Sequence, residues 1–175
     1  MLIVMAGLPG TGKSAIARGL ARALPAVILD KDSIRAALFP PELIEYTTQQ
    51  DDFCMQVMLQ VAEYMLRKTP TQAVILDGRT FSRCYQLDAV ADLATRLGQR
   101  LAIIQCVCSD AIAKKRLEQA VAQRLHVARN RNFALYLSIK ARFEPIERRK
   151  LLLNTDRSLS KCIALGITYL KQTIG

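Results

Sequence analysis

Eight residues near the start of the chain, Gly7-Leu8-Pro9-Gly10-Thr11-Gly12-Lys13-Ser14, have the types and spacing to cradle a chain of phosphates. Glycines let the backbone turn its N–H groups inward around an anion. A helix that begins where the loop ends points its positive end at the same place. Lys13 supplies a point charge for the outer phosphates, and Ser14 offers a hydroxyl to a magnesium ion. The plain alternative is a Gly/Pro turn. The flanks favour the phosphate loop: Leu2 to Ala6 is a short apolar run that reads as a buried strand, and Ala15 to Leu24 carries apolar residues at helical spacing.

Two further clusters sit where strands end. Ala26 to Leu29 reads as a second strand and runs into Asp30-Lys31-Asp32-Ser33-Ile34-Arg35. Ser33 is positioned to open a short helix with Arg35 on its first turn. In parallel α/β sheets, ligands lie beyond the carboxyl ends of the strands. Two carboxylates there are candidates for a base or a metal ligand; a helix cap with a surface ion pair is the bland reading. Ala73 to Leu76 reads as a third strand and ends in Asp77-Gly78-Arg79-Thr80. Asp77 stands where a carboxylate orients magnesium and its waters, and Arg79 is placed to hold an acceptor's anionic group.

The elements that must position these groups alternate. Glu42 to Lys68 is helical in pattern, with Phe53, Val57, Leu59, Val61, Tyr64, Met65 and Leu66 as its apolar face. Met55, Met58 and Met65 read as core packing, and Tyr46, Thr47, Gln49 and Gln50 are candidates to line a substrate pocket. Arg83 to Leu97 is a helix stopped by Gly98, and Leu101 to Cys108 is a fourth strand. From Ser109-Asp110 a basic helical region carries Lys114, Lys115, Arg116 and Arg124, then His126, Arg129, Asn130, Arg131 and Asn132, and a second helix to about Phe143. A basic hinge between helices suits a lid over phosphates, with Arg116 and Arg124 neutralising the group in flight. Leu151 to Leu153 is a fifth strand leading into Asn154-Thr155-Asp156, and Ser158 or Ser160 starts the last helix, to about Gln172.

Composition sets the outer limits. At 175 residues and 51% apolar content, the chain reads as one domain spanning 1–175 with a sizeable core. Repeats, low-complexity tracts and linkers are not evident. No apolar run approaches the length of a membrane helix, and the first strand begins where a signal peptide would. Five cysteines without framework spacing suggest reduced thiols and a cytoplasmic protein. Cys106 and Cys108 read as strand residues, and a single histidine excludes multi-histidine metal sites. A net charge of +10 favours anionic partners without choosing among nucleotides, phosphorylated metabolites and nucleic acid.

Strands alternating with helices give an α/β fold: a three-layer, five-stranded parallel sheet with helices on both faces and a lid over about 110–144. The chain resembles the small P-loop kinases, the nucleoside-monophosphate-kinase-like phosphotransferases. Gly7 to Ser14 is their Walker A loop. Leu29 to Arg35 resembles the L-D-x-D-x-x-R segment of adenylylsulfate kinases and the D-x-x-R segment of polynucleotide 5′-hydroxyl kinases. Leu76-Asp77-Gly78-Arg79 is similar to a strand-end segment of adenylate and related kinases. The N-R-N-x-A-L-Y run from Asn130 and the R-F-E-P-I run from Arg142 are similar to bacterial kinases of unassigned substrate, also described as AAA-type ATP-binding proteins.

The resemblance implies transfer of the γ-phosphoryl group of ATP, with magnesium, to a hydroxyl of a small metabolite. It makes Asp32 the base and Arg35 a ligand of the acceptor or of a phosphate. Lys13, Arg116 and Arg124 would serve catalysis. Gly7 to Ser14, Arg116 and Thr155 would hold the nucleotide, Ser14 and Asp77 the metal, and Asp32, Arg35 and Arg79 the acceptor. Two alternatives stand beside it. One is a nucleic-acid 5′-hydroxyl kinase, favoured by the charge; few aromatics are available to stack bases. The other is an ATP-binding switch or accessory protein with no acceptor of its own.

Overall fold

The computed structural model describes residues 1–122 and 132–174. Five parallel strands, β1 (Leu2–Ala6), β2 (Ala26–Asp30), β3 (Ala73–Asp77), β4 (Leu101–Val107) and β5 (Leu151–Asn154), form one sheet in the order β2-β3-β1-β4-β5. The central strand is the most apolar one. All five residues of β1 are fully buried, because helices cover both of its faces.

Alternation along β1 assigns its two faces. Leu2, Val4 and Ala6 pack with residues of α3 (Thr48–Lys68) and α4 (Cys84–Arg96), including Met58, Leu66 and Val90. Ile3 and Met5 pack with α1 (Lys13–Ala23) and α7 (Leu159–Ile174), through Ile16, Leu20, Cys162 and Leu170. The chain also forms α2 (Lys31–Leu38), α5 (Asp110–Ala122) and α6 (Phe133–Ala141). The expected α/β architecture, five parallel strands with helices on both faces, is what the chain forms. No helix among the described residues is long and apolar enough to cross a membrane.

Three local expectations are corrected. The long helix does not begin at Glu42. Pro41–Leu43 is a short 3-10 turn, and the helix starts at Thr48, capped by Thr47, whose Oγ1 accepts from the Gln50 amide at 3.1 Å. Its buried face is Cys54, Met55, Met58, Ala62 and Leu66, whereas Phe53, Val61 and Tyr64 are exposed. Phe53 meets Phe39 edge-on at 5.8 Å instead of entering the core. Ser33 does not open α2 either. Asp30 is its cap: the carboxylate Oδ1 accepts from the amide and the hydroxyl of Ser33, both at 2.8 Å.

Candidate functional site

The loop between β1 and α1 is held from several sides. Gly7 donates its amide to the Thr80 carbonyl at 3.0 Å, and Thr11 Oγ1 donates to the Leu8 carbonyl at 2.7 Å. Gly7 lies at φ +127°, and a Cβ there would sit 2.2 Å from the Cys106 carbonyl oxygen, so only glycine fits. Lys13 is buried, and its Nζ donates to the Gly7 and Leu8 carbonyls at 2.7 and 2.8 Å. The ammonium is therefore stationed inside the loop. The first turn of α1 carries no acidic residue, so no carboxylate of its own answers the helix dipole.

Beside this loop opens a cavity of about 350 Å³, lined by Pro9 and Lys13 on one side and by Asp32, Arg35 and Arg79 on the other. The structure thus brings the phosphate loop and the predicted acceptor residues to one space. Arg35 is 1% exposed, and its Nη1 donates to Asp32 Oδ1 at 2.8 Å. Its Nη2 donates to Asp51 Oδ1, and its guanidinium lies 5.0 Å from the Tyr46 ring. Lys31 bridges the same acids, 2.5 Å from Asp51 Oδ1 and 3.3 Å from Asp32 Oδ1. Arg79 pairs with Asp52 at 2.5 Å, and the Tyr85 hydroxyl donates to the same carboxylate.

Asp51 and Asp52, in the first turn and a half of α3, thus pair with Lys31, Arg35 and Arg79. Neither was singled out in the sequence, where the helix was expected to start at Glu42 and no local motif marks either acid. Of the four residues proposed to line a pocket, only Tyr46 does so. Gln50 is spent on the preceding loop, donating to the Leu43 carbonyl and accepting from the Glu45 amide at 2.8 and 3.0 Å. Thr47 is the cap of α3, and Gln49 is exposed. Tyr46 adopts φ +54° and the buried Phe81 φ +52°. Positive φ at two bulky residues, one lining the cavity and one between its Thr80 and Ser82, is strain concentrated at the site.

Burial pushes the Lys31 ammonium down to about 8. Asp32 pulls the other way, and Arg35 and Arg79 push with the burial. The folded chain therefore releases this proton before the unfolded chain does. Stability should rise with pH between about 8 and the ordinary lysine range, where the unfolded state binds more protons. Urea unfolding of wild type and Lys31→Met across that range checks it. The stability of wild type relative to the variant should grow with pH by a few kcal/mol. A flat or falling difference would mean that the two carboxylates outweigh the burial.

Asp77 is 2% exposed at the end of β3, in register with Asp30, and its Oδ1 has no hydrogen-bond partner among the described residues. A buried carboxylate oxygen left open is a fitting ligand for a magnesium ion or for its waters. Magnesium commonly takes one or two carboxylates besides phosphates and water, and Ser14 adds a hydroxyl in the first turn of α1. The donor set fits the ion. Gly78 makes the next turn at φ +88°, where a Cβ would stand 2.7 Å from the Lys31 amide nitrogen. Gly78→Ala should lose about 2 kcal/mol or more of stability from left-handed backbone strain and this backbone contact. Chemical unfolding followed by circular dichroism measures it, and an unchanged midpoint would refute the close approach.

On the outer face of the phosphate loop, Arg116 of α5 donates from Nη1 to Thr155 Oγ1 at 3.0 Å and from Nη2 to the Thr155 carbonyl at 2.8 Å. Thr155 Oγ1 in turn donates to the Thr11 carbonyl at 2.9 Å. The two residues thus link α5, the loop after β5 and the loop between β1 and α1. Asp110 joins α5 to α6, accepting from the Tyr136 hydroxyl at 2.7 Å and Lys140 Nζ at 2.6 Å. Lys140 first, then Tyr136, holds its carboxyl below the usual range. Arg124, His126, Arg129 and Arg131 lie outside the described residues. Cys106 is a fully buried strand residue whose thiol burial pushes up to about 12, and Cys108 follows the strand end. No cluster of three metal-ligating side chains occurs among the described residues.

A family model described as an AAA domain matches residues 2–146. The chain belongs to that family. No curated protein matches its sequence. Among solved structures, a gluconokinase from Sinorhizobium meliloti 1021 is 18% identical, over 98% of this chain and 91% of its own, with a TM-score of 0.65. The APS kinase CysC of Mycobacterium tuberculosis, in complex with AMPPNP and APS, is 16% identical over 97% and 96%, with a TM-score of 0.72. Kti12 of Chaetomium thermophilum, in complex with ADP-AlF3, is 15% identical over the whole of both chains, with a TM-score of 0.70. At these identities the likeness is one of fold, a P-loop α/β fold matched end to end. The resemblance to small P-loop kinases holds at the level of family and fold.

Proposed function

We propose that this chain is an ATP- and magnesium-dependent phosphotransferase that phosphorylates a hydroxyl of a small metabolite. One observation carries the proposal: Lys13 of the phosphate loop and the Asp32–Arg35 pair line the same cavity. A nucleotide switch has no need of a second polar chamber opening onto its phosphates. The gluconokinase and APS kinase among the structural neighbours support the same reading by fold.

Phosphoryl transfer asks little covalent chemistry of a protein; positioning and charge neutralisation dominate. Lys13 and the loop amides hold the β- and γ-phosphates. The acceptor oxygen attacks the γ-phosphorus, and the bond from that phosphorus to the β–γ bridging oxygen breaks. ADP departs with the bridging oxygen, and the hydroxyl proton passes to an Asp32 carboxylate oxygen. Arg35 orients Asp32. Ser14 and Asp77 would hold the magnesium ion, which when bound neutralises charge on the phosphates. Arg116 and Thr155 border the nucleotide side of the loop, and Arg124 would act from the lid.

The test is ADP release from ATP and magnesium with sugars, nucleosides, amino-alcohols, adenylylsulfate and a 5′-hydroxyl oligonucleotide, beside a no-acceptor control. Stimulation by one small-molecule class is expected. Stimulation by the oligonucleotide alone, with steep salt dependence, would replace the reading with a nucleic-acid kinase. ADP release indifferent to every acceptor, with a lid whose protease sensitivity responds to ATP, would replace it with a nucleotide switch.

A further inference from the structure

We infer that Asp51 of α3 is a positioning residue for the transfer: through Lys31 and Arg35 it holds the Asp32 carboxylate where the acceptor hydroxyl must meet it. This rests on the phosphotransferase reading and adds to it a residue that acts on the base from a second helix.

Four charged side chains in the lining of the cavity, Lys31, Asp32, Arg35 and Asp51, alternate in sign around a ring. Asp32 Oδ1 takes Arg35 Nη1 at 2.8 Å and Lys31 Nζ at 3.3 Å. Asp51 Oδ1 takes Lys31 Nζ at 2.5 Å and also Arg35 Nη2. Each cation therefore spans both carboxylates. Lys31, Asp32 and Arg35 all belong to α2, so Asp51 alone ties the ring to another helix. Within α2, Asp32 and Arg35 form an i,i+3 pair of side chains with rotatable torsions, by itself a weak constraint. Asp51 changes this because a guanidinium is planar. With Nη1 on Asp32 and Nη2 on Asp51, its plane and its place are both set. The Tyr46 ring, 5.0 Å from the guanidinium, bounds it on a third side. Arg35 and Asp32 are both buried, so little water competes for these bonds.

Asp51 serves as a fixed post because its own backbone is tied down. Its amide donates to the Thr47 carbonyl at 2.9 Å. Gln50, just before it, ties the preceding loop through the Leu43 carbonyl and the Glu45 amide. One turn further on, Met55 enters the core. Asp52, the next residue, is turned to Arg79 and Tyr85 instead. Removing Asp51 leaves Lys31 and Arg35 to Asp32 without an anchor on α3, and the base is then free to shift with them. A shift of about 1 Å in a reacting group costs about 100-fold in rate.

The experiment is a double-variant cycle in the ADP-release assay, with the best acceptor among the sugars, nucleosides, amino-alcohols, adenylylsulfate and 5′-hydroxyl oligonucleotide. Asp51→Ala should lower kcat by about 10- to 100-fold and leave the KM for acceptor and for ATP within about threefold. Asp51→Asn keeps an oxygen for both cations but holds them without charge, so it should lose about 3- to 10-fold. It keeps the test readable if Asp51→Ala does not fold. In the Asp32→Asn background either change should cost less than about twofold more, because no base is left to position. Equal fold-losses in the two backgrounds would make Asp51 independent of the base and overturn the inference. So would wild-type kcat in the folded Asp51 variants. A raised acceptor KM with kcat kept would put Asp51 on the substrate itself, with the same result. All three leave the phosphotransferase standing. Full transfer by Asp32→Asn alone removes the base and this inference with it. Stimulation by no acceptor of any kind overturns the phosphotransferase reading as well.

Discussion

Lys13→Ala should lose ATP turnover by about a thousandfold while unfolding as cooperatively as wild type. The Lys13 ammonium sits among the loop carbonyls, 2.7 Å from Gly7 O and 2.8 Å from Leu8 O, and lines the same cavity as Asp32 and Arg35. Charge that develops on a phosphoryl group between the two sites has this cation as its nearest fixed partner in the loop. Removing one preorganised electrostatic contact of this kind costs about two to three orders of magnitude in rate. The structural cost is smaller. Two loop carbonyls lose a donor, worth about 1 kcal/mol each, and the core beneath is untouched. ADP release and thermal unfolding on the same preparation separate the two effects. Unchanged turnover in a folded variant would remove the phosphate loop from the chemistry.

The second large effect is expected at Asp32. Asp32→Ala should keep ATP affinity within a few-fold and lose acceptor phosphorylation by about 10² to 10⁴, the range of a positioned general base. The residue is buried and held by Arg35 at 2.8 Å, so its carboxylate is oriented before any substrate arrives. Asp51 remains on Arg35 when Asp32 is removed, which limits the penalty of an orphaned buried charge. Asp32→Asn, which keeps an oxygen for Arg35, should preserve stability better and still lose transfer. Nucleotide affinity measured by titration calorimetry and acceptor-dependent ADP release decide the matter. Weakened ATP binding with surviving transfer would place Asp32 on the nucleotide side and leave the base to be sought elsewhere.

Sequence and structure divided the work along a physical line. The loop from Gly7 to Ser14, the acids closing β2 and β3 and the alternation of strands with helices were legible because each depends on local pattern. A buried parallel strand is an apolar run, a phosphate loop is a run of glycines before a helix, and the order of such units implies a covered parallel sheet. That reading reached the fold and brought Asp32, Arg35 and Arg79 to one end of the sheet.

Facing and pairing were not legible. Advancing one residue along a helix turns the side chain by about 100°. Met55 and Met58 were read as core and are buried, but the choice between Phe53, Val61 and Tyr64 or Cys54 and Ala62 beside them was made only by what packs against α3. Nothing in the local pattern marks Asp51 and Asp52, which the fold sets against Lys31, Arg35 and Arg79. A pattern along the chain records which residue types are available, and charge pairing across it depends on distances that only packing fixes. The sequence by itself determined that a phosphate-binding loop opens a parallel α/β fold. Packing set which carboxylate each cation meets and put Lys13, Asp32, Arg35 and Arg79 around one cavity, because both depend on distances across the fold.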